Sequence, residues 1–173
     1  MSEQSFPDAL AQLLTDARLR AQFASDPVAV VRMLGVTATD AATLSAIPIA
    51  MLEHQAHTLL RKRFEAVRKH IPTTLKASNE HAWERFEEYA TAEWPPGHRR
   101  HLSDALGFCR WLRARGMFFD QGELNALRFA LCRWPLSTYL IWRANANGVR
   151  RLTLQLCYRT SRWSGEWRFY IAI

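Results

Sequence analysis

From residue 152 an apolar side chain returns at every second position: Leu152, Leu154, Leu156 and then Tyr158. Only an extended backbone puts positions i, i+2 and i+4 on one face, so this run has to be a β-strand. Arg151, Thr153, Gln155 and Arg159 fall on its other face. Trp167, Phe169, Ile171 and Ile173 keep the same period to the last residue of the sequence. Upstream, residues 137–144 are rich in strand formers and lead into Asn145-Ala146-Asn147-Gly148. Asn-Gly between strand formers signals a hairpin, because both residues tolerate φ > 0. The reading is a three-stranded meander over 137–144, 149–159 and 167–173, with 160–166 as its second turn. A meander has two outer strands, each with unpaired backbone N–H and C=O groups. The first follows directly on a helix, so its edge is the one expected to be covered. The last strand closes the sequence, and its edge is expected to stay open.

Everything before residue 137 reads as helix, so the sheet has one helical layer to lie against and one face left over. The expected fold class is α+β: an N-terminal mostly helical region followed by a C-terminal three-stranded antiparallel β-sheet. Phe6, Leu10, Leu13 and Ala17 mark one helical face, with Leu14 and Ala21 beside it. Asp26-Pro27 restarts the chain as an N-cap with proline at the first helical position. Gly35 stops that short helix, Thr37 with Asp40 opens another, and Pro48 closes it. The longest helical stretch is 49–71, with Pro72 ending it. Ser78 is the expected cap of a helix carrying Trp83, Phe86 and Tyr89. Trp94-Pro95-Pro96-Gly97 breaks the chain and divides a helical lobe, 1–94, from a lobe of helices plus sheet, 95–173. In that second lobe, 98–115 carries Leu102, Leu106, Cys109 and Leu112 inward and Arg99, Arg110 and Arg113 outward. Gly116 stops it. Asp120 and Glu123 cap the next helix, whose Leu124, Leu127, Leu131 and Trp134 repeat at three and four.

Charge sharpens this division. Residues 1–90 carry 10 basic and 11 acidic side chains, a net of −1, while residues 91–173 carry 13 and 5, a net of +8. All thirteen basic residues of the second part are arginine, and Trp94, Trp111, Trp134, Trp142, Trp163 and Trp167 lie there too. Arginine and tryptophan are the residues of interface hot spots, so this half is the expected interaction surface. The bland alternative is a core of tryptophans rimmed by arginine.

Catalytic chemistry finds no motif here. Gly-rich phosphate loops, GxSxG and paired carboxylates are absent. His54 and His57, with Glu53, share a helix, and His98 and His101 repeat the spacing, but each set lacks the further ligand a metal needs. Cys109 with His101 as base is conceivable, yet Cys109 falls on an apolar stripe where a thiol is inert. Three scattered cysteines, an odd count, fit a reducing cytoplasm. No apolar run is long enough to cross a bilayer, and Met1-Ser2-Glu3-Gln4 is not a signal peptide. The run Arg61-Lys62-Arg63 reads as a solvated helix face diluted by Glu53 and Glu65. Nucleic-acid binding ranks second, because the arginines spread over two helices and three strands without forming a reading helix.

Three strings carry a family resemblance: Phe86-Glu87-Glu88-Tyr89-Ala90, Trp94-Pro95-Pro96, and Leu102-Ser103-Asp104-Ala105-Leu106-Gly107-Phe108-Cys109-Arg110-Trp111-Leu112. Across residues 70–140 the chain resembles the MbnC-like partner proteins of iron-dependent oxidases that modify ribosomally made peptides, as in methanobactin biosynthesis. The first lobe also resembles the small helical subunit of extradiol ring-cleaving dioxygenases. The resemblance implies a heterodimer in which an MbnB-like oxidase subunit holds the iron and turns a cysteine of an MbnA-like precursor peptide into an oxazolone with a neighbouring thioamide. This chain would carry no cofactor and would not be an enzyme. It would bind the leader of the precursor and hold its core at the partner's active site. An open sheet edge suits that task, since an added strand gains affinity from main-chain hydrogen bonds and register from alternate side chains. The expected peptide-binding residues are Trp163, Trp167, Arg168, Phe169, Tyr170 and Ile171, with Arg168 and Tyr170 turned away from the apolar face to meet peptide side chains. Arg99, Arg110 and Arg113 are the expected contacts to the oxidase.

Overall fold

The computed structural model describes residues 4–95, 97, 99–144, 150–160 and 164–172. Helices come first: α1 Phe6–Thr15, α2 Ala17–Ser25, α3 Pro27–Leu34, α4 Ala38–Ser45, α5 Ile49–Arg68, α6 Pro72–Ser78, α7 Ala82–Ala92, α8 Arg100–Ala114 and α9 Gln121–Leu131. A three-stranded antiparallel sheet follows, β1 Leu136–Ala144, β2 Arg150–Arg159 and β3 Ser164–Ala172, in the order β1-β2-β3. The fold is α+β, as the sequence patterns imply.

The chain forms two compact units, one made of 1–64 with 87–94 and the other of 65–86 with 95–173. Helices α5 and α7 contribute residues to both units. The break at Trp94-Pro95 coincides with one border, while 65–86 goes with the sheet. Divided this way the charge contrast grows. The first unit holds 6 Lys/Arg against 9 Asp/Glu, a net of −3, and the second 17 against 7, a net of +10.

In the first unit, Leu13, Leu19, Phe23, Val30, Val31, Leu34, Leu44 and Leu52 form the core. The apolar period running from Phe6 to Ala21 does not make a single helix. Asp16 is extended, and its carboxylate accepts the N–H groups of Arg18 and Leu19, which caps α2 and separates it from α1. A side-chain acceptor satisfies two of the otherwise orphaned first-turn donors, so this break costs little. Arg20 closes the corner by donating to the carbonyls of Leu13 and Leu14. The caps at Asp26, Thr37 and Gly35 form where the sequence puts them.

In the second unit Pro72 opens a helix, α6, in addition to ending α5, because proline lacks only an N–H that the first turn leaves unbonded anyway. Ser78 is the buried last residue of α6 and donates to the Thr74 carbonyl, so it is no cap for α7. The acceptor at the start of α6 is Glu123, from α9. Its carboxylate takes the N–H groups of Thr73 at 2.6 Å and Thr74 at 2.9 Å and the Thr74 hydroxyl at 2.7 Å. Asp120 caps α9 by accepting the Glu123 N–H. Helix α9 ends at Leu131, and Trp134 lies beyond it, largely exposed, so it is not a core residue of that helix.

Candidate interaction surface

The register of the sheet sorts its side chains into two faces. Leu136, Leu140 and Trp142 stand opposite Tyr158, Leu154 and Leu152. Leu152, Leu154 and Leu156 in turn stand opposite Ile171, Phe169 and Trp167. These positions share one face, and none of them is charged. The other face holds Ile141, Thr153, Gln155, Cys157, Arg159 and Arg168.

The face packed against helix is the polar one. Ile141, Thr153, Gln155 and Cys157 are buried. Gln155 donates to the Gly122 carbonyl in α9 at 2.9 Å and to Glu166 at 2.8 Å, and it accepts from Asn125 at 3.3 Å. Arg159 donates to the carbonyls of Cys132, Phe129 and Ala130, closing the end of α9. Gln155 and Arg159, on this inner face, thus find most of their partners in α9 and the residue after it. The apolar face is left open: Leu136 is 55% exposed, Leu140 66%, Trp142 63%, Trp167 57% and Phe169 50%. Single exposed apolar residues are ordinary, but a contiguous sheet face of this size marks a binding surface.

The expected site residues divide accordingly. Trp167 and Phe169 lie on the open face beside the outer edge of β3. Tyr170 and Ile171 pair by backbone with Thr153 and Leu152. Trp163 lies outside the described residues. Arg168 points away from the Trp167 and Phe169 face, as expected, and that side of the sheet is the one against α9, with its side chain 28% exposed. It turns toward α9, where its guanidinium bonds Glu166 at 2.7 Å, and a Cβ on Gly122 would come within 3.0 Å of its Cζ. Its Nε is buried without a hydrogen-bond partner among the described residues. The physical reason is that the polar face is the inner one, so a residue alternating with Trp167 and Phe169 is turned inward. β3 also begins at Ser164, three residues earlier than its apolar period. Gly165 permits this, since a Cβ there would meet the Tyr158 ring at 2.9 Å.

Arg110 and Arg113 are exposed on α8, whereas Arg99 donates to the Ala130 carbonyl at 3.2 Å and helps close α9. The Arg61-Lys62-Arg63 run is likewise not wholly solvated. Arg63 is buried, donates to the carbonyls of Ala90 and Glu93 and stacks on Trp94 at 4.3 Å. What the sequence reading missed is the outward face of β1 and β2, Leu136, Leu140, Trp142 and Leu154. The alternation groups these residues but does not say on which side the helices lie.

Other groups offer less chemistry. Cys109 is fully buried, and burial first and Glu123 second push its thiol up to about 12, so it stays protonated at neutral pH. His70 stacks on His101 at 5.2 Å, and burial, with His101 and Lys69 adding to it, lowers its pKa. A cleft of about 520 Å³ is lined by Lys69, His70, Thr73, Glu123, Glu166 and Arg168, but its carboxylates are already engaged with Thr73, Thr74, Gln155 and Arg168. His54 and His57 are exposed on α5, and no three His, Cys, Asp or Glu side chains gather to hold a metal among the described residues. Among them, too, no helix is long and apolar enough to cross a membrane.

Residues 48–114 match the SCO6045-like, C-terminal domain family, a stretch that runs from the start of α5 to the end of α8 and leaves the sheet outside it. No curated protein and no solved structure matches the chain.

Proposed function

We propose that this chain is a non-catalytic binding subunit. It holds the leader of a ribosomally made precursor peptide and presents the cysteine-containing core to an iron-dependent oxidase that does the oxygen chemistry. The observation that carries this reading is the outer position of β3, with Trp167 and Phe169 exposed beside its edge. A peptide laid along β3 would bond to its outward N–H and C=O groups, and its apolar side chains would continue the row of Trp167 and Phe169. The other outer strand, β1, follows α9 after only Cys132–Pro135, which leaves less freedom around its edge. Holding the leader raises the local concentration of the core, so the partner needs little affinity of its own for the residues it modifies. The substrate class rests on the resemblance to MbnC-like proteins, and three free thiols fit a cytoplasmic setting. A second reading, nucleic-acid binding, is favoured by the net +10 of the sheet-bearing unit.

Paired proline variants test the edge. Alternate N–H groups of β3 point to opposite sides, so Phe169→Pro and Tyr170→Pro remove donors on different edges. The probe is a synthetic leader peptide of an MbnA-like precursor. One variant is expected to keep its circular dichroism spectrum and lose the leader. If both stay folded and bind as the parent does, β3 is not the site. If the parent binds nucleic acid with a steep salt dependence and ignores the leader, the second reading replaces the first.

A further inference from the structure

The cleft of about 520 Å³ lies within the sheet-bearing unit, between the turn from α5 into α6, α9 and β3, the one strand that lines it. Its acceptors are engaged and several of its donors are not. Each carboxylate oxygen already accepts a bond: those of Glu123 from Thr73 and Thr74, those of Glu166 from Gln155 and Arg168. Arg168 commits Nη2 to Glu166, but its Nε is buried without a partner among the described residues. Neither the exposed Lys69 ammonium nor the Thr73 hydroxyl bonds another described residue. A buried N–H without an acceptor is costly, and such a group calls for an explanation. Lys69 and Arg168 balance Glu123 and Glu166 in charge. Preference for an anion therefore comes from the surplus of donors and from the +10 of the surrounding unit.

The register connects this cleft to the outer edge of the sheet. Glu166 and Arg168 alternate with Trp167 and Phe169 along β3 and lie on the side of α9. A strand added to β3 keeps that alternation, with facing side chains about 5 Å apart. A peptide whose apolar side chains continue the row of Trp167 and Phe169 thus turns the side chains between them toward Arg168 and the cleft.

We infer that this cleft is a specificity pocket for one carboxylate side chain, Asp or Glu, of the bound peptide, which rests on the leader reading given under Proposed function. The carboxylate accepts from Lys69 and Arg168, with the Thr73 hydroxyl as a further donor, and displaces none of the existing bonds. Charge-assisted hydrogen bonds of this kind are the stronger ones, so the pocket adds selectivity that main-chain pairing along an edge does not have. The sequence it selects is an acidic residue between two apolar ones in an extended segment.

The probe is a synthetic leader peptide of an MbnA-like precursor, used unchanged and with each Asp or Glu replaced in turn by Asn or Gln. It is titrated against the parent chain, Lys69→Met and Arg168→Gln, with circular dichroism confirming each fold. Arg133→Met removes an exposed charge of the same unit before β1, on the other side of the sheet, and serves as the control. Lys69→Met and one of the peptide replacements should each weaken binding about tenfold, the size of a lost charge-assisted hydrogen bond. Arg168→Gln should weaken it at least as much, and Arg133→Met by no more than about twofold. Combining Lys69→Met with that peptide replacement should cost little more than either alone, because both remove the same contact. If Lys69→Met and Arg168→Gln bind the leader as the parent does, or if the two losses simply add, the carboxylate is not in the cleft and the inference falls while the leader reading stands. A leader that binds equally well after each of its Asp and Glu replacements overturns the inference too. If the parent does not bind the leader at all, the functional reading falls and takes this inference with it.

Discussion

The side-chain amide of Gln155 donates to the backbone carbonyl of Gly122 at 2.9 Å, tying the middle of β2 to the first turn of α9. This bond, with those to Glu166 and Asn125, turns the polar face of the sheet toward the helices. Once Gln155 is inside, the alternation of the strand forces Leu154 and Leu156 to the outside. A single-residue slip would exchange the two faces and orphan every one of these polar groups.

Replacing Gln155 with leucine keeps the volume and removes all three bonds. Because the Gly122 carbonyl and the Glu166 carboxylate lose a buried partner, the expected cost is roughly 2–3 kcal/mol in urea unfolding. A loss below about 0.5 kcal/mol, the range of ordinary surface changes, would mean that the inner face is held by something else.

Glu123 bridges two helices, since its carboxylate accepts three bonds at the start of α6. Glu123→Ala leaves two backbone N–H groups and a buried hydroxyl without acceptors. The expected loss is about 3 kcal/mol, with Glu123→Gln retaining part of it. Equal stability of all three proteins would contradict the bridge.

Cys109 and Cys157 set an alkaline limit. Burial raises their thiols from 9.0 to about 12 and about 11. The unfolded chain therefore gives up these protons first. The stability they contribute is complete below about pH 9 and is lost as pH rises through that value toward their folded pKa values, at ~1.4 kcal/mol per unit for each thiol. A Cys109→Ser variant should show a flatter stability curve between pH 9 and 12 than the parent. In the native protein, iodoacetamide should reach the half-buried Cys132 and leave the other two untouched until unfolding. Rapid native alkylation of Cys109 at pH 8 would contradict this.

The parts of the fold that were legible in the sequence are those with a local cause. Asp26-Pro27, Thr37, Gly35, Gly116 and Asp120 each act on residues within a turn of themselves, and each forms where it reads. Asp16 acts locally too, but the apolar period of α1 runs across it and hides the break. The orientation of the sheet was not legible. Periodicity shows that Leu152, Leu154 and Leu156 share a face; whether that face is inside depends on Gln155 meeting Gly122 and Asn125, 33 and 30 residues away. Hydrophobicity alone argues for the opposite choice. The same fact turns Arg168 toward α9 and adds Leu140 and Trp142 to the candidate surface.

Hydrogen exchange of the isolated chain, with and without the synthetic leader, tests the central claim most directly. Backbone amides of β3 that face away from β2 should exchange freely alone and become protected on adding leader, at alternate positions from Ser164 to Ala172. Amides paired with β2 should change little. Leader that binds while β3 exchanges as before, with protection appearing elsewhere, would contradict the claim that this strand receives the peptide.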